Sequence, residues 1–329
     1  MGSLGPGSER IHGGGTVGPV PNVDVVIVSY NSEQHLRACV EPLAGAPDVR
    51  VIVVDSASSD GTVESVRDLP ISTVPLSENR GFAYACNVGW RLGSAPYVLL
   101  LNPDAVIDME SLSRLVAVAE RVPKIGAVAP KIVNTDGSLD FSLRRFPRLR
   151  STYSQALFLH RLFPHAAWSD ELVRDRRAYE QPGSPEWASG ACLLVTRGAL
   201  ERLGGLDDGF FLYCEDRDLC RRLRDDGLDL RFEPGAVAVH EGGASSPRAA
   251  LLPVLAASRV RYARKHQADY VAFLERLGIA LGALTHAVVT RGGLASRRGH
   301  VRALAGALSL RRQRAYVPGA KQERTIGGT

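Results

Sequence analysis

Short apolar runs alternate with amphipathic segments over the first hundred residues of the chain. Runs at 24–30, 50–55, 71–74 and 97–101 are rich in Val, Ile and Leu, and the segments between them carry apolar residues at helical spacing. Continuous apolar strands joined by helices are typical of a parallel sheet covered on both faces. The pattern predicts an α/β fold in which this part of the chain forms a Rossmann-like, doubly wound half.

Polar residues stand at the carboxyl ends of the predicted strands. They are Ser29, Tyr30 and Asn31 after the first strand, Asp55 and Ser56 after the second, Asn79, Arg80 and Gly81 at the start of the next helix, and Asn102, Pro103 and Asp104 after the fourth strand. Pro103 cannot donate to a sheet, so the fourth strand is expected to end at Asn102. Polar residues are common in turns, which could explain the polar residues at the end of any one strand. Ligands of doubly wound sheets bind at this edge, so the convergence predicts a binding site.

Two nucleotide-binding loops are missing from the sequence. No GxGxxG follows the first strand, which disfavours a dinucleotide-dependent oxidoreductase, and no GxxxxGK[ST] loop occurs. A nucleotide bound at the strand tips would therefore be held through side chains and, as one option, through a metal ion.

The second half of the chain is less regular. Residues 189–211 predict a strand, a short helix and a glycine turn, and residues 214–227 predict a helix that begins with Glu215 and Asp216. The helix dipole favours acidic residues at this end, which is a structural alternative to a catalytic pair. His240 follows a predicted strand and precedes a glycine-rich turn, where it is either structural or a ligand of metal or phosphate.

The two ends of the chain differ from its body. Residues 1–22 are rich in Gly, Pro and Ser and lack the apolar core of a signal peptide, so a flexible leader is expected. Five cysteines without CxxC spacing argue against a disulfide framework or a zinc site and favour the reducing cytoplasm. From Arg248 onwards, thirteen Arg and two Lys face three acidic residues, a net charge of +12, whereas the first 247 residues carry −7.

This basic C-terminal region predicts helices that lie on a membrane surface. Residues 270–314 are apolar with interspersed Arg, and the longest uncharged stretch, 277–290, is shorter than the roughly 20 residues that span a bilayer. The alternative is a helical subdomain packed on the catalytic core or at a homodimer interface. Nucleic acid is disfavoured as a partner because aromatic residues for base stacking are scarce there.

Seven motifs in order resemble family 2 glycosyltransferases with the GT-A fold, in particular the rhamnosyltransferase branch of bacterial surface-polysaccharide assembly. They are VVIVSYN, VVDSASSDGT, NRGFAYACNVG, LLLNPDAV, WASGACLLVTR, GFFLYCEDRDLCRRL and HEGG, and they cover about residues 24–246. The resemblance implies a GT-A catalytic domain at 23–247, with a doubly wound mixed sheet, followed by the basic helical region 248–329.

The resemblance also implies a nucleotide site and a metal site. Tyr30 would pack near the base, and Asp55 would accept a hydrogen bond from a pyrimidine N–H. Asp104 matches the last residue of the family's DxD motif and would bind Mg²⁺ or Mn²⁺ on the donor diphosphate, with His240 or water completing the shell. Asn102 replaces the first Asp, so modest metal affinity is expected. The nucleotide-binding residues implied are Ser29, Tyr30, Asn31, Asp55, Ser58, Asn79, Arg80, Gly81 and Asn102.

Catalysis is assigned by the same resemblance. Asp216 matches the general base that deprotonates the acceptor hydroxyl, and Glu215 is the less favoured candidate. Attack opposite the leaving group inverts the anomeric configuration. The acceptor site is assigned to Trp187, Ser189 and Gly190, where Trp187 either offers a flat face to a sugar or is an ordinary core aromatic.

The resulting prediction is an inverting glycosyltransferase that moves L-rhamnose from dTDP-rhamnose to a hydroxyl of a lipid-linked or polymeric glycan. A UDP-hexose donor is one alternative, because the strand-tip residues do not separate thymine from uracil. A non-catalytic nucleotide-sugar-binding scaffold is the other, since Asn102 weakens the metal motif. A cytoplasmic protein, possible peripheral binding to the plasma membrane and a possible homodimer complete the expectation.

Overall fold

A computed structural model describes residues 22–242, 248–290 and 293–308, and a mixed sheet of eight strands lies at its centre. The strand order is β3-β2-β1-β4-β9-β6-β10-β5, and β7 and β8 form a separate pair. The strands are β1 (Val23–Ser29), β2 (Val49–Asp55), β3 (Ser72–Pro75), β4 (Tyr97–Leu101), β5 (Ala105–Ile107), β6 (Ile125–Val133), β7 (Leu143–Arg144), β8 (Trp187–Ala188), β9 (Cys192–Thr196) and β10 (Asp229–His240).

The first four strands pair in parallel, as the sequence pattern predicts. β1 lies between β2 and β4, and β3 extends the sheet beyond β2. The strand β9 then runs antiparallel between β4 and β6, which makes the sheet mixed. At the far side, β10 pairs in parallel with β6 and antiparallel with the short β5.

The strands β1, β2 and β4 each contribute to two hydrophobic cores. In β1, Val26 and Val28 belong to one core, and Val25 and Ile27 belong to the other, because successive side chains of a strand point to opposite faces. The helices α2, α6 and α7 cover the first face, and α1 and α3 cover the second. The helices of this part are α1 (Glu33–Val40), α2 (Phe82–Leu92), α3 (Met109–Arg121), α4 (Leu149–Ala156), α5 (Leu159–Leu162), α6 (Arg197–Leu203) and α7 (Glu215–Asp225).

One helix expected from the sequence is shorter than predicted. Residues 60–69 form only a single 3₁₀ turn, Glu64–Val66. The carboxylate of Asp60 accepts hydrogen bonds from the backbone N–H and the hydroxyl of Thr62, and such local bonds compete with helix formation. The leader predicted for residues 1–22 lies outside the described residues except for Asn22, as does the tail after residue 308.

Three further helices follow the eight-stranded sheet and pack on α4 and on a loop beside the sheet. They are α8 (Arg248–His266), α9 (Asp269–Val289) and α10 (Gly293–Leu308). The hydroxyl of Ser258 on α8 donates to the carbonyl of Leu212 at 2.8 Å. Gly278 on α9 lies so close to α4 that a Cβ there would be 2.8 Å from Thr152 Cγ2. These contacts correspond to the packed alternative for the basic region, and they do not test membrane binding.

Within the described residues, α9 has the length and apolar composition that a membrane-crossing helix needs, which is weak evidence on its own. The uncharged stretch counted in the sequence is shorter because it begins only after Glu275 and Arg276. Glu275 is 2% exposed and accepts a hydrogen bond of 2.6 Å from Thr152 Oγ1 on α4. One face of α9 is therefore covered by α4.

Candidate active site

A cavity of about 590 Å³ opens at the carboxyl ends of β1 and β4. Its walls combine the strand tips, the β8–β9 connection, the start of α7, the end of β10 and one face of α8. The predicted site residues that line it are Tyr30, Asn79, Gly81, Asn102, Asp104, Trp187, Ser189, Gly190, Glu215, Asp216 and His240.

Four predicted nucleotide residues form a network behind this wall. The Asp55 carboxylate is 3% exposed and accepts hydrogen bonds from Ser29 Oγ at 2.9 Å, from the Ser58 N–H at 2.9 Å and from Ser58 Oγ at 2.5 Å. Ser58 Oγ in turn accepts from the Asn31 N–H at 2.9 Å. A carboxylate offers about four acceptor positions, and three of those on Asp55 are occupied by these bonds. Base recognition by Asp55 therefore stays a prediction.

The loop before α2 is fixed to a distant segment of the chain. Gly81 has a φ of +96°, and a Cβ there would overlap the backbone carbonyl of Phe211. The Phe82 N–H donates to that carbonyl at 2.8 Å, and the Asn79 side chain accepts from the Gly81 N–H at 3.0 Å. Only glycine adopts this conformation in so little space.

Arg80 does not line the cavity. Its half-exposed guanidinium lies over the ring of Tyr84, 3.7 Å from the ring centroid. Its assignment to the nucleotide stays a prediction.

Sheet pairing brings Asp104 and His240 together. Ala105 of β5 pairs with His240 of β10, which places His240 Nε2 3.3 Å from Asp104 Oδ1. The Asn102 amide nitrogen is 3.4 Å from the same imidazole nitrogen. Asp140, which the sequence pattern did not single out, lies 3.9 Å from His240 Nδ1. Carboxylate, amide and imidazole groups from three segments therefore meet at one wall of the cavity.

The charges of this cluster stabilise each other. Burial by itself would lower the pKa of His240, but Asp104 and Asp140 outweigh burial and raise this pKa to about 9. Burial would likewise raise the pKa of Asp104, but the hydrogen bond and positive charge of His240 lower it below its usual value. Within residues 22–242, 248–290 and 293–308, no group of three or more His, Cys, Asp or Glu side chains is arranged to hold a metal ion.

Asp216 faces the cavity from the first turn of α7. Its Oδ2 accepts a hydrogen bond from the Gly190 N–H at 3.0 Å, and its Oδ1 accepts from the Arg217 N–H at 2.7 Å. A Cβ on Gly190 would be 3.0 Å from Asp216 Cβ, so a small residue is needed for this approach. Two backbone donors hold the carboxylate, and each oxygen keeps a lone pair for a further proton donor.

Glu215 differs sharply from its neighbour. It is 6% exposed, and its Oε2 is buried without a hydrogen-bond partner. Burial, reinforced by the negative charge of Asp216, raises the pKa of Glu215 well above its usual value. A buried carboxyl in this state holds its proton, so the geometry favours Asp216 over Glu215 as a base.

Trp187 is part of the hydrophobic core. It is 5% exposed, and its indole N–H donates to the carbonyl of Arg145 at 2.9 Å. The guanidinium groups of Arg217 and Arg144 lie 4.7 Å and 5.3 Å from its ring centroid. The core alternative for Trp187 therefore has structural support, and sugar stacking stays a prediction.

Sequence reasoning missed several residues of the cavity wall. Arg144, Arg217 and the α8 residues Leu251, Leu252 and Leu255 all line it. No local motif marks them. Arg144 and Arg217 lie outside the predicted strand tips, and α8 lies in the region expected to be separate from the catalytic domain. Arg217 stands next to the acidic pair in the sequence, which was the one available signal.

Comparison with known proteins places the chain in a family. Residues 24–202 match the family model described as glycosyl transferase family 2. The chain is 32% identical over 240 residues to the N-acetylglucosaminyl-diphospho-decaprenol L-rhamnosyltransferase of Mycobacterium tuberculosis (strain CDC 1551 / Oshkosh), an alignment that covers 68% of this chain and 77% of that protein.

A second relative and one solved structure agree with this match. The rhamnosyltransferase WbbL of Escherichia coli (strain K12) is 25% identical over 230 residues, covering 66% of this chain and 83% of that protein. The mannosyltransferase of Pyrobaculum calidifontis, solved with GDP-Man and Mn²⁺, superposes with a TM-score of 0.54 at 20% identity and covers 88% of this chain and 86% of its own. That level of similarity confirms the predicted GT-A fold.

Proposed function

Because the chain belongs to glycosyl transferase family 2 and is therefore a glycosyltransferase, we propose that it transfers L-rhamnose from dTDP-rhamnose to a hydroxyl of a lipid-linked glycan, with inversion. The two rhamnosyltransferases among its relatives support the sugar, and the name of the mycobacterial one supports a diphospholipid-linked acceptor. The observation that carries the proposal is one cavity in which Asp216 shares the walls with Asp104 and His240.

Asp216 acts as the general base in this proposal. The Gly190 and Arg217 N–H groups orient its carboxylate, and the open lone pairs accept the proton of the acceptor hydroxyl as its oxygen attacks the anomeric carbon. The leaving nucleoside diphosphate departs from the opposite face, so a β-linked donor gives an α-glycoside. Glu215 keeps its proton and does not compete for this role.

The side chains of Asn102, Asp104 and His240 are compatible with a divalent cation. Mg²⁺ and Mn²⁺ in phosphate sites are bound by one or two carboxylates together with phosphate oxygens and water, so the small number of protein ligands is no obstacle. Asp104 and His240, with Asn102 beside them, would hold the ion, and His240 would give up its proton on binding. Such an ion, when bound, neutralises the negative charge that develops on the diphosphate.

The experiment is a transfer assay with dTDP-rhamnose, UDP-glucose and UDP-N-acetylglucosamine, each with Mn²⁺ or Mg²⁺, and a prenyl-diphosphate-linked N-acetylglucosamine as acceptor. Rhamnosylated product formed with dTDP-rhamnose supports the proposal. Product formed only with a UDP sugar would show that the donor is that UDP sugar and not dTDP-rhamnose. A protein that is thermally stabilised by nucleotide sugars but gives no product with any of them is the binding scaffold instead.

The same proposal places the protein on the cytoplasmic face of the plasma membrane. Large apolar side chains are exposed on α5, α9 and α10, including Leu162 at 72%, Val288 at 70% and Leu294 at 70%. The rings of Phe158, at the start of α5, and of His286 on α9 stack at 4.5 Å, so these helices adjoin. Exposed arginines accompany them on α10: Arg297, Arg298 and Arg302. Apolar side chains beside arginines are typical of helices that lie on anionic bilayers.

Vesicle flotation tests the membrane surface. The protein should float with vesicles that contain an anionic lipid, and the double variant Leu162→Asp and Val288→Asp should stay in solution. Leu92→Asp is the matched control, because Leu92 is 53% exposed at the end of α2, away from these helices. Equal binding by all three proteins would remove this surface from the proposal. Deletion of the C-terminal region is an unsuitable test of membrane binding because residues of α8 line the cavity. A homodimer stays a prediction, to be measured by sedimentation.

A further inference from the structure

Arg144 is a cation of the cavity without a counter-ion. It stands on β7 opposite Trp187 of β8, is partly buried and lines the cavity. Its Nε is buried without a hydrogen-bond partner, and no carboxylate lies within salt-bridge distance among the residues that the structure describes. A charge withdrawn from water is costly unless it is paired. An anionic group of a bound ligand would therefore be stabilised next to Arg144.

The neighbouring arginine does not share this property. Arg217 also lies over Trp187, but its Nη2 donates to Glu171 Oε2 at 2.9 Å, and the other oxygen of Glu171 accepts from Arg259 of α8 at 3.1 Å. The charge of Glu171 is thus divided between two arginines. Asp216 lies beside Arg217, so Glu171 and Asp216 together balance Arg217 and Arg259, and Arg144 is the arginine left without such a partner among the described residues.

Strand pairing connects Arg144 to the segment that holds the proposed base. Its cross-strand partner Trp187 leads directly into Ser189 and Gly190, and the Gly190 N–H holds the Asp216 carboxylate. Asp104 lies in the turn between β4 and β5, and His240 lies at the end of β10, although Asp140, 3.9 Å from His240 Nδ1, precedes Arg144 in the same segment. The pairing of β7 with β8 therefore places Arg144 next to the segment that holds Asp216.

The same cavity has an apolar wall. Leu251, Leu252 and Leu255 of α8 line it, and each is partly exposed rather than withdrawn into a core. Apolar side chains at a cavity wall favour an apolar part of a ligand. A phosphate group and an apolar chain in one acceptor match these two features.

We propose that Arg144 and the α8 leucines form an acceptor subsite for the phosphate and the first apolar units of a lipid phosphate ester. The inference rests on the proposed function for the direction of transfer, and it assigns specific residues to the acceptor's anionic and apolar parts. Arg144 binds the phosphate and positions the attached sugar near Asp216, and it takes no part in proton transfer.

Direct binding tests the subsite independently of catalysis. The probes are a short-chain prenyl diphosphate and the corresponding uncharged prenyl alcohol, titrated without metal and monitored by calorimetry. Arg144→Gln should weaken binding of the diphosphate at least about tenfold and leave binding of the alcohol unchanged, because a hydrogen bond to a charged group is lost. Leu255→Ser should weaken binding of both probes.

Arg121→Gln is the matched control, since Arg121 is an exposed arginine at the end of α3 that does not line the cavity. It should bind both probes like the unaltered protein. If Arg144→Gln binds the diphosphate as tightly as this control, or loses both probes equally while Leu255→Ser loses neither, the subsite is wrong.

A kinetic measurement separates this inference from the proposed function and from a donor role. With active protein, Arg144→Gln should raise KM for the diphosphate-linked acceptor at least about tenfold and leave KM for the sugar-nucleotide donor and the rate with an uncharged alkyl glycoside unchanged. A raised donor KM with an unchanged acceptor KM would place Arg144 on the donor diphosphate and overturn the proposal. Protein that binds prenyl diphosphate through Arg144 but gives no product would contradict the proposed function alone.

Discussion

The two sides of the cavity are stabilised in different ways. The side proposed for the nucleotide is built largely from successive strands, to which β10 adds His240, and its polar groups bond to each other, as Ser29 and Ser58 do to Asp55. The side proposed for the acceptor is assembled from segments far apart in the sequence and includes α8. We infer that the proposed donor wall is built mainly by the sheet, whereas the proposed acceptor wall depends on the docking of α8.

Substitution of the proposed base Asp216 tests whether the two sides of the cavity act separately. Asp216→Asn should lower kcat by about 10²- to 10⁴-fold, the usual contribution of a general base, and should leave donor binding unchanged. Initial rates and donor titrations measure the two quantities. Asp225→Asn, at the exposed end of the same helix, should behave like the unaltered protein. Donor binding lost together with rate would show that the two walls are not separate.

As the pH falls, α8 should lose its contacts with α7 before the sheet unfolds. Asp218 accepts from His266 and Lys265 of α8 and from Arg222, and although burial would raise its pKa, these partners lower it to about 2. A folded-state pKa below the unfolded value of about 3.9 gives stability that is present above that value and is lost as pH falls towards 2. This contribution amounts to about 2–3 kcal/mol.

The measurement is urea unfolding of the unaltered protein and Asp218→Asn at several pH values. The variant should be less stable at pH 6, and the difference should shrink steadily as the pH falls below about 4. Glu110→Gln removes an exposed helical ion pair with Arg114 and should cost less than about 1 kcal/mol. A difference for Asp218→Asn that does not change with pH would mean that its charge is not what holds α8.

Gly81 lies where the loop before α2 contacts Phe211, and a side chain at this position would strain the backbone. Gly81→Ala combines a left-handed φ with overlap on the Phe211 carbonyl, whereas Gly137→Ala has a φ of +78° and open space. Gly81→Ala should therefore lower the free energy of unfolding by about 1–2 kcal/mol more than Gly137→Ala, and it should weaken donor binding. Thermal unfolding and donor titration are the measurements. Equal effects of the two substitutions would show that the Phe211 contact is dispensable.

The smallest expected effect concerns the donor wall. Asp104→Ala should weaken donor binding in saturating Mg²⁺ about tenfold and make it nearly independent of the metal, because the carboxylate of the metal pair is lost. Asp108→Ala, which removes the cap of α3 rather than a cavity residue, should retain the metal dependence. Unchanged affinity of Asp104→Ala in saturating Mg²⁺ would exclude Asp104 from the donor site.

Much of the nucleotide side could be predicted from the sequence because its signals are local. Runs of buried Val, Ile and Leu define β1, β2 and β4, and β4 ends at Leu101, one residue before the end that Pro103 predicted. The segment 60–69 was the exception, since bonds from Asp60 to Thr62 replace helical turns that periodicity alone would allow. Asp55 and Ser58, both predicted to bind the nucleotide, hydrogen-bond to each other but lie behind the cavity wall rather than in it, so their role stays a prediction.

The sequence by itself determined the alternating α/β pattern, the polar strand tips and the order of motifs that marks the family, because strand and helix periods and proline are properties of neighbouring residues. Only the tertiary structure decided that β5 pairs with β10 to join Asp104 to His240, that Glu215 is buried while Asp216 is held by Gly190, and that α8 walls the cavity beside Arg144. These features depend on contacts between segments that are far apart in the chain, and long-range packing leaves no periodic signal in either segment.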